Sequence, residues 1–342
     1  MMEPVRFGLV GYGFGGRYFH APLLAAAPEC AFVGVVTTSP DRRELLGREH
    51  PGVAAFGSLQ ELAAAGAEAV AISTPADTHT PLTDQALDLG LAVVCDKPFA
   101  LDAPTARASV ERAERAGVLL SPYQNRRWDS DFLTVRSLVD RGELGTVTRF
   151  ESRFERFTPD PGPGASGGGT LLDFGAHLVD QALVLLGPVA TVYAEWRVRE
   201  SGLDDDVFVA LTHTSGARSH LSGSWSEGAP GDRFRVSGTT GSYVVGGPMD
   251  GQEAALVAGQ TPATLGAGWG VEPPERYGRV QRGDASETVP TVPGAWSTFY
   301  PAFATAVRGA GAVPVDPWDA VASLTVLDAA RRSATEGVVV RL

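Results

Sequence analysis

The sequence predicts an α/β chain in two parts: an N-terminal doubly wound parallel sheet, then an α+β part with a large, mostly antiparallel sheet. Three observations carry this. Residues 5–121 alternate short apolar runs with helical stretches, as a parallel sheet covered on both faces requires. Gly11-Tyr12-Gly13-Phe14-Gly15-Gly16 stands between the first strand and the first helix. After Pro122, strands follow one another with hairpin-like turns such as Ser215-Gly216. The expected domains are 1–122 and 123–342.

In the first part, apolar runs predict strands over Val5–Val10, Ala31–Thr37, Ala69–Ser73, Ala92–Cys95 and Val118–Ser121. Helices are expected over Gly15–Ala27, Asp41–His50, Leu59–Ala65, Pro81–Leu89 and Ala103–Ala116. In the second part, a helix over Asp129–Arg141 has Asp129 as N-cap and Gly142 as its stop. Strands are expected over Val147–Phe157, Ala190–Val198, Val207–Thr214, Arg218–Ser226, Phe234–Gly238 and Gly241–Val245. One helix, Leu172–Leu186, interrupts them and is closed by Gly187-Pro188. Helices over Trp296–Arg308 and Pro317–Ala334 and a strand over Val338–Val340 finish the chain. Pro159–Gly169 and Gly246–Pro274 read as irregular, and loops of that length are often functional.

At 342 residues the chain is too long for one ordinary core. Apolar residues make up 44% and charged residues 20%, the composition of a globular protein. A net charge of −12 argues against nucleic-acid or anionic-membrane partners. Cys30 and Cys95 offer neither a disulfide framework nor a zinc site, and a reduced, cytoplasmic setting fits. No apolar run reaches the roughly 18 residues needed to span a bilayer. The first strand leads straight into the glycine turn, with no signal-peptide layout ahead of it. No metal is expected, because no His/Cys/carboxylate group has ligand spacing.

The glycine turn leaves a strand and enters a helix, the context a dinucleotide-binding (Rossmann) unit needs. Gly11 permits the tight turn, Gly13 lets backbone approach a pyrophosphate, and Gly16 lets helix and strand pack closely. Phe14 belongs to the same turn. The helix N-terminus favours the diphosphate. An NAD-selective fold usually places Asp or Glu at the end of the second strand, about 20 residues on. Here that end reads Val36-Thr37-Thr38-Ser39-Pro40-Asp41-Arg42-Arg43. Thr38 and Ser39 with Arg42 and Arg43 favour the 2′-phosphate of NADP, with NAD the alternative. A plainer reading makes Ser39 a helix cap and leaves the arginines solvated.

Two further groups carry chemistry. Asp96-Lys97-Pro98-Phe99 follows the strand Ala92–Cys95, at the sheet end where such folds bind ligands. Lys97 there can hydrogen-bond a substrate oxygen and relay its proton; alone, it would read as a surface lysine. Asp173 and His177 stand four apart on one expected helix face, roughly 5–6 Å from one another. His177 suits proton transfer near neutral pH, and Asp173 would orient it or bind a substrate hydroxyl. The plain alternative is a capping Asp and a buried His.

With Thr74-Pro75-Ala76-Asp77-Thr78-His79, Asp96-Lys97-Pro98 and Gly167-Gly168-Gly169…Asp173-x-x-x-His177-x-x-Asp180, the chain resembles the glucose-fructose oxidoreductase / inositol dehydrogenase / rhizopine catabolism (Gfo/Idh/MocA) family over nearly its whole length. The resemblance implies Lys97, Asp173 and His177 as the catalytic group. It implies Thr74, Pro75 and His79, with Lys97, beside the nicotinamide and its ribose. It also implies an open-faced second sheet used for a homodimer or homotetramer. Phe19-His20-Ala21-Pro22-Leu23, Asn125-Arg126-Arg127-Trp128-Asp129-Ser130-Asp131-Phe132 and Phe150–Phe157 are similar to that family's NADP-dependent scyllo-inositol 2-dehydrogenase branch, which implies a cyclitol substrate. One stretch departs from that branch, shortened here to Thr158-Pro159-Asp160-Pro161-Gly162. Asn125, Arg126 and Trp128 are candidate substrate contacts or, equally, packing residues. The expected activity is hydride transfer between NADP(H) and a polyol or sugar. The rivals are an aldose 1-dehydrogenase and an NADP-sensing regulator without turnover.

Overall fold

The computed structural model describes residues 3–164, 167–247 and 250–342. The expected loops 159–169 and 246–274 each include two residues (165–166 and 248–249) outside that set. The chain forms two compact units. The first joins Met1–Gln124 to Glu253–Trp269 and Trp296–Val321, and the second holds Asn125–Gln252, Gly270–Ala295 and Ala322–Leu342.

The first unit is built on six strands: β1 (Val5–Val10), β2 (Cys30–Val36), β3 (Ala54–Phe56), β4 (Ala69–Ile72), β5 (Ala92–Cys95) and β6 (Leu120–Pro122). All pair in parallel, in the order β3-β2-β1-β4-β5-β6. The order reverses between β1 and β4, and a ligand crevice opens at the carboxyl ends flanking such a reversal. Helices α1 (Ala21–Ala26), α2 (Pro40–Glu49), α3 (Leu59–Ala64), α4 (Ala76–Asp88) and α5 (Ala103–Ala116) link the strands. Every residue of β4 and β5 is buried, because helices cover both faces. Burying Ile72, Val93 or Val94 stabilises the fold by about 1.5–3 kcal/mol each. Helix α5 shows why its ends fall where they do. Asp102 accepts the Thr105 N–H at 2.8 Å, Pro104 occupies the first turn, and Gly117 ends the helix at φ +65°.

The second unit opens with a 3₁₀ turn (Asn125–Trp128) and α6 (Ser130–Asp140). Strand β7 (Val147–Glu155) leads to α7 (Thr170–Asp173) and α8 (Gly175–Leu186), followed by β8 (Val189–Val198), β9 (Asp204–His213), β10 (Arg218–Ser224), β11 (Phe234–Gly238) and β12 (Ser242–Val245). Then come α9 (Gly251–Val257), α10 (Pro262–Leu265), β13 (Gly278–Arg282), β14 (Ala285–Val289), α11 (Phe299–Val307), α12 (Pro317–Glu336) and β15 (Val340–Arg341). Nine strands form one sheet, in the order β14-β13-β12-β11-β7-β10-β9-β8-β15. Only β7 and β10 pair in parallel. Phe150, Ser152 and Phe154 of β7 are buried beneath the helices, while Glu151, Arg153 and Glu155 point to the other face.

Helix α11 belongs to the first unit. Its Tyr300 and Phe303 pack on Phe7 of β1 (ring centroids 5.4 and 5.8 Å apart), and Arg308 just beyond it pairs with Glu68. Several expected elements need correction. The 246–274 stretch holds two helices, because Thr261 builds a capping box ahead of α10 and Pro262 opens it. Strands β3, β13 and β14 lie in segments without clear alternation. Helix α4 starts five residues before Pro81 and carries that proline inside the helix. The expected helix 172–186 is divided at Phe174, and the last strand falls at Val340–Arg341.

Candidate active site

The glycine turn follows β1 directly, and each glycine answers a different demand. Gly11 has φ +93°, and a Cβ there would lie 2.2 Å from the Ser73 carbonyl oxygen at the end of β4. A Cβ on Gly16 would lie 2.2 Å from the Gly11 carbonyl, so the helix could not close onto the turn. At Gly13 a Cβ would meet only the Arg42 guanidinium, at 3.8 Å. The bare backbone at Gly13 is therefore not needed for packing; it leaves open space, as the close approach of a pyrophosphate requires. The helix begins with a π-helical turn, Gly16–His20, a form concentrated at functional sites. Phe14 is 59% exposed on this turn, against Tyr18 and Phe19.

Past β2 the structure shows the helix cap at Ser39 and where the two arginines go. Ser39 caps α2 by accepting the Arg42 N–H at 3.4 Å, with Pro40 at its start. Arg43 Nε donates to the Thr37 carbonyl at 2.9 Å, tying that guanidinium to the strand end. Arg42 is the arginine that reaches the turn.

Asp96 and Lys97 leave the end of β5, both half-buried. Asp96 Oδ1 accepts the Lys97 backbone N–H at 2.8 Å, and Oδ2 accepts the Ser73 hydroxyl at 2.8 Å. The His20 Nε2 lies 3.2 Å from the same Oδ2, and its Nδ1 faces the Tyr300 hydroxyl. Burial works to raise the Asp96 carboxyl. The His20 imidazole, helped by His79 and Lys97, outweighs it and holds Asp96 well below the usual carboxylate range. A Cβ on Gly15 would lie 3.1 Å from Asp96 Oδ2. The glycine turn, the end of β4 and the Asp96-Lys97 pair thus meet at one edge of the sheet. His79 is 1% exposed, with Nδ1 2.8 Å from the Pro98 carbonyl and Nε2 2.8 Å from the Thr74 carbonyl. Its ring braces the segments carrying Thr74 and Lys97. Thr74 Oγ1 bonds Thr78 Oγ1 at 2.6 Å, and Pro75 is exposed. Cys95 is buried, which pushes its thiol up to about 12 and leaves it unreactive.

In the second unit, Gly168 (φ +75°) and Gly169 (φ +92°) turn the chain into α7. A Cβ at Gly169 would lie 2.1 Å from Asp204 Oδ1. Asp204 Oδ2 accepts the Leu171 N–H at 2.6 Å, and the Thr170 hydroxyl donates to the Asp204 carbonyl. This pins the start of the helix that carries the candidate residues. Asp173 ends α7, half-buried, and His177 lies in the first turn of α8, buried. Phe174 between them keeps a right-handed helical backbone (φ −83°, ψ −41°). Its ring stacks on Phe154 at 3.9 Å and on Trp225 at 4.9 Å. Gly223 gives α7 and α8 room on the sheet, since a Cβ there would sit 3.1 Å from Thr170 and 3.4 Å from Phe174. His177 and the Arg126 guanidinium both lie against the Phe154 ring, at 6.2 and 5.0 Å.

The Asn125–Phe132 motif is a buried charge network. Arg127 grips Asp180 with two hydrogen bonds of 2.6 and 2.8 Å. Arg126 pairs with Asp129 at 3.3 Å and Arg233 with Asp131 at 3.5 Å. Asp250 accepts the Ser130 N–H, and Gln181 bridges Arg126 and Arg233. Asn125 and Arg126 are buried and Trp128 is half-buried, with its carbonyl accepting from Ala295 and Gln252. Asp129, Asp131 and Asp250 all titrate above the ordinary aspartate range, Asp131 pushed up to about 6. Burial is the largest cause in each; the nearby guanidiniums oppose it at Asp129 and Asp131.

A carboxyl raised in the folded state contributes stability below its unfolded value of 3.8, and that contribution is lost as pH rises through about 6. Stability is therefore expected to fall between about pH 4 and 6 through Asp131. Asp131→Asn should flatten that dependence in urea midpoints taken at about pH 4, 5 and 6; an unchanged slope would refute the assignment.

Sequence reading missed Ser73 and His20 as partners of Asp96, Tyr300 as the partner of His20, and Asp204 as the acceptor at the start of α7. His20 stands in a motif already singled out and Asp96 adjoins Lys97, but nothing local marks Tyr300. An open cleft lies elsewhere, lined by Glu151, Arg153, Glu155, Glu227 and Arg235, and it holds none of the candidate catalytic residues. Among the described residues, no three His, Cys, Asp or Glu side chains group to hold a metal ion, and no helix is long and apolar enough to cross a membrane.

Comparison with known proteins gives a consistent result. Residues 5–124 match an oxidoreductase family with an NAD-binding Rossmann fold, and residues 132–244 match the GFO/IDH/MocA C-terminal domain. The chain is 32% identical over 346 aligned residues to scyllo-inositol 2-dehydrogenase (NADP(+)) IolW of Bacillus subtilis (strain 168), across 98% of this chain and 95% of that protein. It is 34% identical to the oxidoreductase YdgJ of Escherichia coli (strain K12), across 98% and 97% of the two chains. The solved oxidoreductase yvaA of Bacillus subtilis superposes with a TM-score of 0.92 at 31% identity, covering 99% of each chain. The chain belongs to the Gfo/Idh/MocA family of oxidoreductases and is an NAD(P)-dependent dehydrogenase acting on CH–OH groups.

Proposed function

We propose that the enzyme interconverts a secondary alcohol and a ketone on a polyol ring, of the scyllo-inositol type, with NADP(H) as hydride partner. The carrying observation is at the end of β2. Thr37, Thr38 and Ser39 stand where an NAD-selective fold offers a carboxylate, and the Arg42 guanidinium lies over the open backbone of Gly13. The similarity to the scyllo-inositol 2-dehydrogenase (NADP(+)) IolW supports the same reading.

The residues present fit the cofactor: Gly11, Gly13 and Gly16 shape the turn, and Thr38, Ser39 and Arg42 face a 2′-phosphate, with Arg43 bracing the strand end. NADP supplies a hydride acceptor in one direction and a donor in the other. In this reading Lys97 donates a hydrogen bond to the substrate oxygen and stabilises the charge that develops there as its proton leaves. His177 accepts that hydroxyl proton and returns it in the reverse direction, and Asp173 orients His177 or holds a neighbouring hydroxyl. The first unit serves as the cofactor domain and the second as the substrate and oligomerisation domain. The helix-free face of its sheet, with Tyr193, Phe208 and His220, would meet a second copy. Arg42→Ala should raise the Michaelis constant for NADP about ten-fold more than that for NAD, the scale of one charge-assisted contact. An unchanged NADP/NAD ratio would leave Arg42 as a solvated residue of α2.

A further inference from the structure

Ser73, His20 and Lys97 bond the Asp96 carboxylate, Tyr300 reaches it through His20, and all of them belong to the first unit. Ser73 ends β4, His20 lies in the π-helical turn, Tyr300 comes from α11, and Lys97 supplies its own N–H. His20 is fully buried, its ring 4.3 Å from Tyr123. A neutral imidazole carries one N–H and one bare nitrogen. Placing the hydrogen on Nε2 lets His20 donate to Asp96 Oδ2 and accept at Nδ1 from Tyr300. That arrangement also gives the buried Tyr300 hydroxyl hydrogen an acceptor, which burial demands. The chain then reads Tyr300 O–H to His20 Nδ1, His20 Nε2–H to Asp96 Oδ2, and Lys97 N–H to Asp96 Oδ1.

We infer that His20 and Tyr300 are positioning residues for Lys97, acting through Asp96. Tyr300 fixes which ring nitrogen carries the proton, His20 fixes the carboxylate, and the carboxylate holds the backbone of Lys97 and a negative charge beside its ammonium. Neither residue touches a reacting atom. The inference rests on the reading of Lys97 given above.

Tyr300→Phe removes one oxygen and keeps the ring that packs on Phe7 and Tyr123. It should lower kcat about ten-fold, the scale of one hydrogen bond to a charged group, with both Michaelis constants within about two-fold. His20→Gln, whose amide can still donate to Asp96, should retain more kcat than His20→Leu. Nitrogen-15 NMR of histidine-labelled protein should show the Nε2–H form of His20, kept in Lys97→Ala and lost or altered in Tyr300→Phe. Wild-type kcat in Tyr300→Phe, equal kcat in the two His20 variants, or a protonated Nδ1 in the neutral wild type would overturn the inference. If no polyol is turned over at all, the substrate reading fails, and the NMR result alone decides for or against this chain.

Discussion

Lys97→Ala is expected to lower kcat by about three orders of magnitude while leaving NADP(H) affinity within about three-fold. The size follows from the two tasks given to one side chain. An ammonium beside the substrate oxygen stabilises the developing alkoxide, and its hydrogen bond holds that oxygen in place while the proton passes to His177. The selectivity for kcat follows from where the dinucleotide is held. Gly11, Gly13 and Gly16 shape its turn through backbone geometry, which the substitution leaves alone. Steady-state rates with a fluorescence titration of NADPH on the same preparation check both halves. A variant with wild-type kcat would remove Lys97 from the chemistry, and one that loses cofactor binding would make it a binding residue.

Asp180→Ala is expected to cost about 3–5 kcal/mol of stability in the second unit. Arg127 and Asp180 are 12% and 3% exposed in their side chains, and their two hydrogen bonds are short. Removing the carboxylate takes two hydrogen bonds and a negative charge from a largely buried guanidinium. Replacing both partners with apolar residues, Arg127→Met with Asp180→Leu, should recover most of the loss, because the cost lies in the unpaired charge more than in the lost bond. Urea unfolding measures both variants. A loss under about 1 kcal/mol in Asp180→Ala would class the pair with solvated surface bridges.

The two halves of the molecule were unequally legible in the sequence. Strands β4 and β5 are covered on both faces, so each is a continuous apolar run, and the glycine turn between β1 and the first helix marks the cofactor edge. Lys97 stands at that edge by its place after β5, though alone it would read as a surface lysine. The rest of that edge is invisible locally. Tyr300 reaches His20 because α11 packs back on β1, a long-range contact that no periodicity announces. The motif at Asn125–Phe132 leaves two readings open, substrate contact and packing. Its density of charge invites a ligand, yet Arg127, Arg126 and Asp131 are committed to Asp180, Asp129 and Arg233 inside the unit. Buried pairs and ligand-binding pairs have the same letters, and only burial tells them apart. Gly168 and Gly169 were legible as a glycine run, but the reason for it, Asp204 capping α7, lies more than 30 residues away.

The most direct test of the central claim is the initial rate of reduced-nicotinamide formation by the purified enzyme, with NADP and NAD in parallel, across inositols and aldoses. The account predicts turnover of a cyclitol, faster at low cofactor concentration with NADP than with NAD. Tight cofactor binding with no turnover of any polyol or sugar would contradict it and leave a nicotinamide sensor in place of a dehydrogenase.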